Sequence, residues 1–149
     1  MGILDSLSIS ASALTAERTR MDVTAENLAN AQTTRTDAGG AYRRKVVVLA
    51  QDGAVASSFG AQLGKAMASS STTGGGVKVA AITEDVTPLK TVYDPGHPDA
   101  DASGYVQLPN VEPVEEMVDL ITESRAYEAN VTAMQTAKTM FSRTLDLLR

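Results

Sequence analysis

Two stretches of the chain repeat their apolar positions every seven residues, one near each end. Leu7, Leu14, Met21 and Leu28 stand seven apart, and Leu4, Ala11, Arg18 and Ala25 precede them by three. Alternating gaps of three and four put all of these on one face of a helix, the pattern of a coiled-coil seam. Arg18 alone breaks the stripe; its stem can lie along the seam while the guanidinium reaches water. From Met117 the pattern returns in longer form, through Leu120, Ser124, Tyr127, Val131, Met134, Lys138, Phe141, Leu145 and Leu148. Pro113 suits a first helical turn, where its missing N–H would be unpaired anyway, and Glu115 and Glu116 stand where the helix dipole favours carboxylates. A second row flanks this stripe: Val114, Val118, Ile121, then Ala126, Ala129, Ala133 and Ala137. A helix with one partner needs a single stripe. The second row therefore predicts contact on another side, or it reflects only the helix propensity of alanine.

Between the helices the period changes. AYRRKVVVLAQ and GVKVAAI are β-branched runs bounded by glycine and read as strands. The Ser/Gly/Ala tract at 53–76 separates them and is too poor in large apolar side chains to bury a core of its own. After Ile82 four of the five prolines fall among short runs that predict strands and turns, with Tyr93, Tyr105 and Leu108 as anchors. The expected fold class is α+β and mainly α, with long N- and C-terminal helices pairing as a coiled coil and a small irregular β segment inserted. The corresponding division is 1–36 with 110–149 for the paired helices, and 37–109 for the β-rich insert, which includes a flexible Ser/Gly/Ala tract at 53–76.

Composition thins this picture. The chain has 149 residues, enough for one domain with a core, yet only 4% are aromatic and Trp and Cys are absent. Without cysteine there is no disulfide framework and no thiol chemistry. A net charge of −5 argues against a nucleic-acid binder, and the short basic run Arg43-Arg44-Lys45 reads as a solvated strand edge. No basic n-region precedes an apolar run at the N-terminus, so no cleaved signal is expected, and no stretch reaches the roughly 20 apolar residues of a membrane span.

Candidate chemistry is confined to one loop. Asp94, His97, Asp99 and Asp101 are metal-ligand types, and Asp99 to Asn110 imitates a calcium loop, with Asp99, Asp101 and Ser103 at its first, third and fifth positions and Gly104 at its sixth. Asn110 then stands where such loops need a bidentate carboxylate, and Pro95 and Pro98 forbid the helix that should precede it. A proline-ordered turn rich in Asp and Gly explains the same residues. A small Ca²⁺- or metal-binding protein remains the alternative from another class, but no metal ligand, cofactor or catalytic residue is assigned. The chain carries no nucleophile elbow, phosphate loop or dinucleotide fingerprint, and a single histidine with no cysteine rules out most His- or Cys-dependent catalysis.

The first helix runs into TAENLANAQTTRT, where Asn30 is a candidate C-cap and the threonines lead towards the strand. SLSISASALTAERTRMDVTAENLANAQTT resembles the N-terminal signature of the bacterial flagellar rod and hook axial proteins, a heptad helix ending in Asn-Leu-Ala-Asn. TTRTDAGGAYRRKVVVL and YDPGHPDADASGYVQLPNVEPVEEMVDLITESRAYEANV are similar to proximal-rod members of that family. Ala41 departs from the family pattern, which has proline before Tyr-Arg-Arg, and this affects only a local turn. Another proximal-rod member is the nearest alternative; distal-rod and hook proteins carry larger inserts.

The resemblance implies a structural subunit with no enzymatic activity. It would assemble with itself and with other rod subunits in the periplasmic rod of the flagellar basal body. Export would proceed through the flagellar type III apparatus without a cleaved signal; contact with surrounding ring proteins is left open, and neither nucleic acid nor membrane insertion is implied. The residues assigned to subunit interfaces on this resemblance are Leu7, Leu14, Met21, Asn27, Leu28, Asn30, Leu120, Tyr127, Val131, Met134, Phe141 and Leu145.

Overall fold

A computed structural model describes residues 3–37, 39–52 and 75–147, with the side chains of Ile3, Leu4 and Leu147 left aside. Helix α1 spans Ile3–Ala29 and helix α2 spans Pro113–Leu147. Between them lie β1 (Lys45–Gln51), β2 (Val77–Glu84), β3 (Lys90–Tyr93) and β4 (Tyr105–Leu108). The fold is α+β and mainly α, as the heptads and the β-branched runs together require. At 35 residues α2 is about 52 Å long. The two helices pack antiparallel: Asn27 meets Glu116, while Thr24 meets Glu123 one turn and more further along α2.

The β segment forms two separate antiparallel hairpins, β1 with β2 and β3 with β4. In the first, Lys45 stands opposite Glu84 and Gln51 opposite Val77, with a bulge between Val48 and Leu49. The Asp52 N–H donates to the Gly76 carbonyl at 2.6 Å, so the last residue of the Ser/Gly/Ala tract already belongs to the hairpin. The rest of that tract, 53–74, lies outside the described residues, as do the stripe position Leu148 and the side chain of Leu4. Ser12 Oγ accepts the Val77 N–H at 3.0 Å and pins the start of β2 to α1.

In the second hairpin Tyr93 stands opposite Tyr105, their rings edge to face at 5.2 Å. Gly104 closes the turn at φ +81°, a conformation that glycine reaches without the clash of a Cβ. The tyrosines are not the anchors the sequence suggested, being 64% and 45% exposed; Val106 and Val111 are the buried residues there. The apolar core is short: Ala16 and Val23 of α1, Tyr42, Val106 and Val111. Buried with it among the described residues are Pro109 and the polar side chains of Thr24, Asn27, Glu116 and Glu123.

The helix pairing differs in phase from the heptad reading. On α2 the less exposed positions include Glu116, Leu120, Glu123, Tyr127, Asn130, Met134 and Ala137, with Ser124 and Val131 beside them. The seam thus keeps Leu120, Tyr127 and Met134 of the predicted stripe and moves its alternate positions back by one residue, a rotation of about 50° on average that leaves Met117 47% exposed. On α1, Leu7, Leu14, Met21 and Leu28 are half-buried, while Ala11, Arg18 and Ala25 face solvent. Arg18 therefore does not lie along the seam. The cause is that α1 has a second neighbour: the β1–β2 hairpin packs on it as well as α2.

Candidate functional site

The residues of TAENLAN have different tasks. Asn30 closes the helix: its amide Nδ2 donates to the Glu26 carbonyl at 2.9 Å and its Oδ1 accepts the Thr33 hydroxyl at 3.1 Å. Asn27 stands too early in the last turn to cap it. Its side chain is 1% exposed and faces inward, where all four of its hydrogen-bonding positions are used. Nδ2 donates to the Lys45 carbonyl at 2.9 Å and to Glu116 Oε2 at 3.1 Å. Oδ1 accepts the Lys45 N–H at 2.9 Å and the Tyr42 hydroxyl at 3.0 Å. The amide pairs with both backbone groups of Lys45 as a neighbouring strand would, so the end of α1 extends the hairpin edge by one residue.

Glu116 carries the network into α2. Its Oε1 accepts Arg44 Nε at 2.5 Å, and Arg44 Nη2 reaches Asp119 Oδ2 at 3.4 Å. The hydrogen bond to Glu116 raises the Arg44 pKa above its ordinary value. Burial, with Glu26, Glu116 and Glu84 nearby, pushes the Tyr42 hydroxyl up to about 12, so it stays a donor to Asn27. Asn110 ties in the loop before α2, accepting the Arg44 N–H at 2.8 Å and donating to Thr87 Oγ1 at 2.7 Å. One polar junction therefore joins α1, β1, the 85–87 turn and α2.

Next to this junction lies a cleft of about 180 Å³ lined by Arg20, Thr24, Asn27, Arg44, Glu116, Asp119 and Glu123, among others. Glu123 is 4% exposed; Oε1 accepts the Thr24 hydroxyl and pairs with Arg20 Nη2, both at 3.3 Å. Its Oε2 has no hydrogen-bond partner among the described residues. Burial raises the Glu123 pKa above the ordinary carboxylate value, and the bond from Thr24 and the charge of Arg20 offset only part of that.

The loop that imitates a calcium site uses its carboxylates locally. Asp94 Oδ1 accepts the Gly96 N–H, and Asp101 Oδ1 accepts the N–H groups of Ser103 and Tyr105. Asp99 Oδ2 accepts the Thr34 hydroxyl at 2.7 Å, docking the loop against the stretch after α1. Among the described residues no three His, Asp or Glu side chains stand close enough to share an ion.

Of the twelve residues assigned to interfaces, Asn27 is buried inside the subunit. Leu7, Leu14, Met21, Leu28, Asn30, Leu120, Tyr127, Val131 and Met134 are half-buried, and Phe141 and Leu145 are 41% and 51% exposed. Three participants were missed or misread from sequence. Glu116 was taken as a dipole carboxylate and is also the buried partner of Asn27 and Arg44. Arg44 was read with its neighbours as a solvated edge, a reading that suits only Arg43. Tyr42 has one signal in the sequence, a tyrosine ahead of a strand in a chain poor in aromatics.

Large apolar side chains on α2 remain outside the fold. Val114, Met117, Val118 and Ile121 are 62%, 47%, 57% and 52% exposed, and Met140, Phe141 and Leu145 are similarly open further along. Neighbouring exposed apolar side chains of this kind are a feature of interaction surfaces.

Profiles of two families match the two halves of this architecture. "Flagella basal body rod protein" matches residues 7–35, and "Flagellar basal body rod FlgEFG protein C-terminal" matches residues 102–147. The flagellar basal-body rod protein FlgC of Bacillus subtilis is 50% identical over 151 aligned residues, covering 99% of both chains. The chain belongs to the FlgC family of flagellar basal-body rod proteins. FlgC of Borreliella burgdorferi is 44% identical, covering 100% of this chain and 99% of the relative, and that of Salmonella typhimurium 42%, covering 99% and 98%. The two matched stretches of this FlgC-family chain hold Asn27 and Asn110, Glu116 and Glu123. The hairpin partners Tyr42, Arg44 and Lys45 lie in the stretch between them.

Proposed function

We propose that this FlgC-family chain, a structural rod subunit of the flagellar basal body, polymerises through its two terminal helices. Copies of it, with other rod subunits, would build the proximal rod, the drive shaft that passes torque from motor to hook. The observation that carries this reading is the apolar ridge of α2, which the subunit leaves uncovered while its own seam is built partly from Glu116, Glu123 and Asn130. Burying such a ridge against another helix is the strongest driving force for association that the surface offers. The polar junction has a different task in this scheme: it fixes the angle at which the β hairpin leaves the helix pair, so that torque is not lost in a hinge there.

The family role is structural rather than catalytic, and its place is the basal body. No helix among the described residues is long and apolar enough to cross a membrane. Passage through the flagellar type III export apparatus without a cleaved signal, a periplasmic position and contact with surrounding ring proteins complete the proposal. The test is complementation of a host lacking its own copy. Val118→Asp and Phe141→Asp should leave export of the chain intact and remove it from isolated basal bodies, with loss of motility. Motile cells carrying Val118→Asp at normal levels in their basal bodies would exclude α2 as an assembly surface.

A further inference from the structure

Each long helix carries a row turned away from the seam inside the subunit. On α2 the row is Val114, Val118, Ile121, Arg125 and Glu128; on α1 it is Ala11, Thr15, Arg18, Asp22, Ala25 and Ala29, and all of these are exposed. Residues two apart on a helix are turned by about 200°. Val118 therefore lies opposite Glu116 and Leu120, and Arg18 opposite Ala16 and Arg20. The rows differ in kind, because α2 presents branched apolar side chains where α1 presents alanines. Both carry charges. The side chains of Arg18, Asp22, Arg125 and Glu128 have no hydrogen bond or ion pair among the described residues.

We propose that the outer row of α2 packs antiparallel on the outer row of α1 in a second copy of this chain. Ile121 and Val118 then lie over Ala25 and Ala29 of the next copy, Arg125 beside its Asp22, and Glu128 beside its Arg18. The order of the residues selects this arrangement. Ascending α1 reads Arg, Asp, Ala, Ala; descending α2 reads Glu, Arg, Ile, Val, so large meets small and each charge meets its opposite. A parallel pairing that sets Val118 and Ile121 on Ala11 and Thr15 brings Arg125 to Arg18 and Glu128 to Asp22, two like-charge contacts. Sliding the antiparallel pair by one turn sets Arg125 against Arg18. The charges thus fix direction and register, as they do at the flanks of coiled coils.

This pairing rests on the terminal-helix reading above and names its surfaces. The two faces are unlike and both are present on every copy, so the contact is heterologous and generates a ring or a helical row instead of a closed dimer. Each α2 is held between its own α1 and that of the next copy.

Two measurements in isolated basal bodies test it, using the full-length chain. Asp22→Arg and Arg125→Asp should each reduce incorporation at least tenfold, with the helical circular dichroism of the purified chain unchanged, and the double variant should restore it. Because the chain has no cysteine, Ala25→Cys combined with Ile121→Cys should give disulfide-linked multimers on mild oxidation. Single charge reversals that incorporate normally, a double variant that fails to recover, or the absence of multimers would overturn the pairing. If those results came with Val118→Asp still excluded from the rod, the register is wrong and helix-mediated assembly stands; normal incorporation of Val118→Asp removes both.

Discussion

Replacing Asn27 by alanine removes one side chain and leaves four groups without their partner. The Lys45 N–H, the Lys45 carbonyl, the Tyr42 hydroxyl and Glu116 Oε2 each lose a hydrogen bond of 2.9–3.1 Å at a site 1% exposed. A neutral bond contributes about 1 kcal/mol net and one to a charged group about 1.5–3 kcal/mol. Bonds within one network are not additive, and the neighbouring cleft admits water to some of the freed groups. We expect a loss of roughly 3–5 kcal/mol, a large part of the 5–15 kcal/mol typical of a whole domain. The assay is urea unfolding followed by helical circular dichroism, extrapolated linearly to water. Asn30→Ala is the control, since it removes a half-buried helix-end side chain with two neutral hydrogen bonds and should cost about 1–2 kcal/mol. Asn27→Asp keeps the acceptor oxygen but sets a second carboxylate 3.1 Å from Glu116, and should destabilise at least as much as alanine. A loss below about 1 kcal/mol for Asn27→Ala, or one equal to that of Asn30→Ala, would refute the junction as the element that locks α1 to the hairpin.

Two further outcomes follow from buried geometry. Because burial raises the Glu123 pKa, the folded chain holds this proton more firmly than the unfolded one, so the group's contribution is fully present below the ordinary carboxylate pKa and is lost as pH rises through the folded value; Glu123→Gln should flatten that part of the stability-versus-pH curve, and an unchanged curve counts against a raised Glu123 pKa. At Gly104 an added Cβ would lie 2.9 Å from the Tyr93 ring on a backbone held at φ +81°. Gly104→Ala should therefore disturb the Tyr93–Tyr105 pair, seen as a loss of near-ultraviolet tyrosine dichroism, while the helical signal stays.

Where the helices and strands lie was legible because it depends on local period, and the heptads and β-branched runs are long enough to outlast single breaks such as Arg18. The phase of the helix pair was not, because period alone finds a face without saying which neighbour covers it. Leu120, Tyr127 and Met134 belong both to the predicted stripe and to the real seam, whereas Met117 and Glu116 exchange places by a rotation of one residue. What decides between them is Asn27, 89 residues away along the chain from Glu116; together with Arg44 it gives a buried carboxylate the partners without which burial would be too costly. No window on α2 contains either partner, so Glu116 could only look like an exposed first-turn acid. The second apolar row of α2 reads from the sequence as contact on another side or as helix propensity alone, and the fold leaves Val114, Val118 and Ile121 exposed. A periodic apolar stripe is ordinarily read as the core face of its own chain, and that holds for a protein whose fold ends at the subunit. In this family the subunit is a part of a larger assembly, and its interior seam can be polar where specific partners hold it. On the proposed assembly, the most apolar surface of α2 is left for contacts between chains, which would account for the exposure of Val114, Val118 and Ile121 within the subunit.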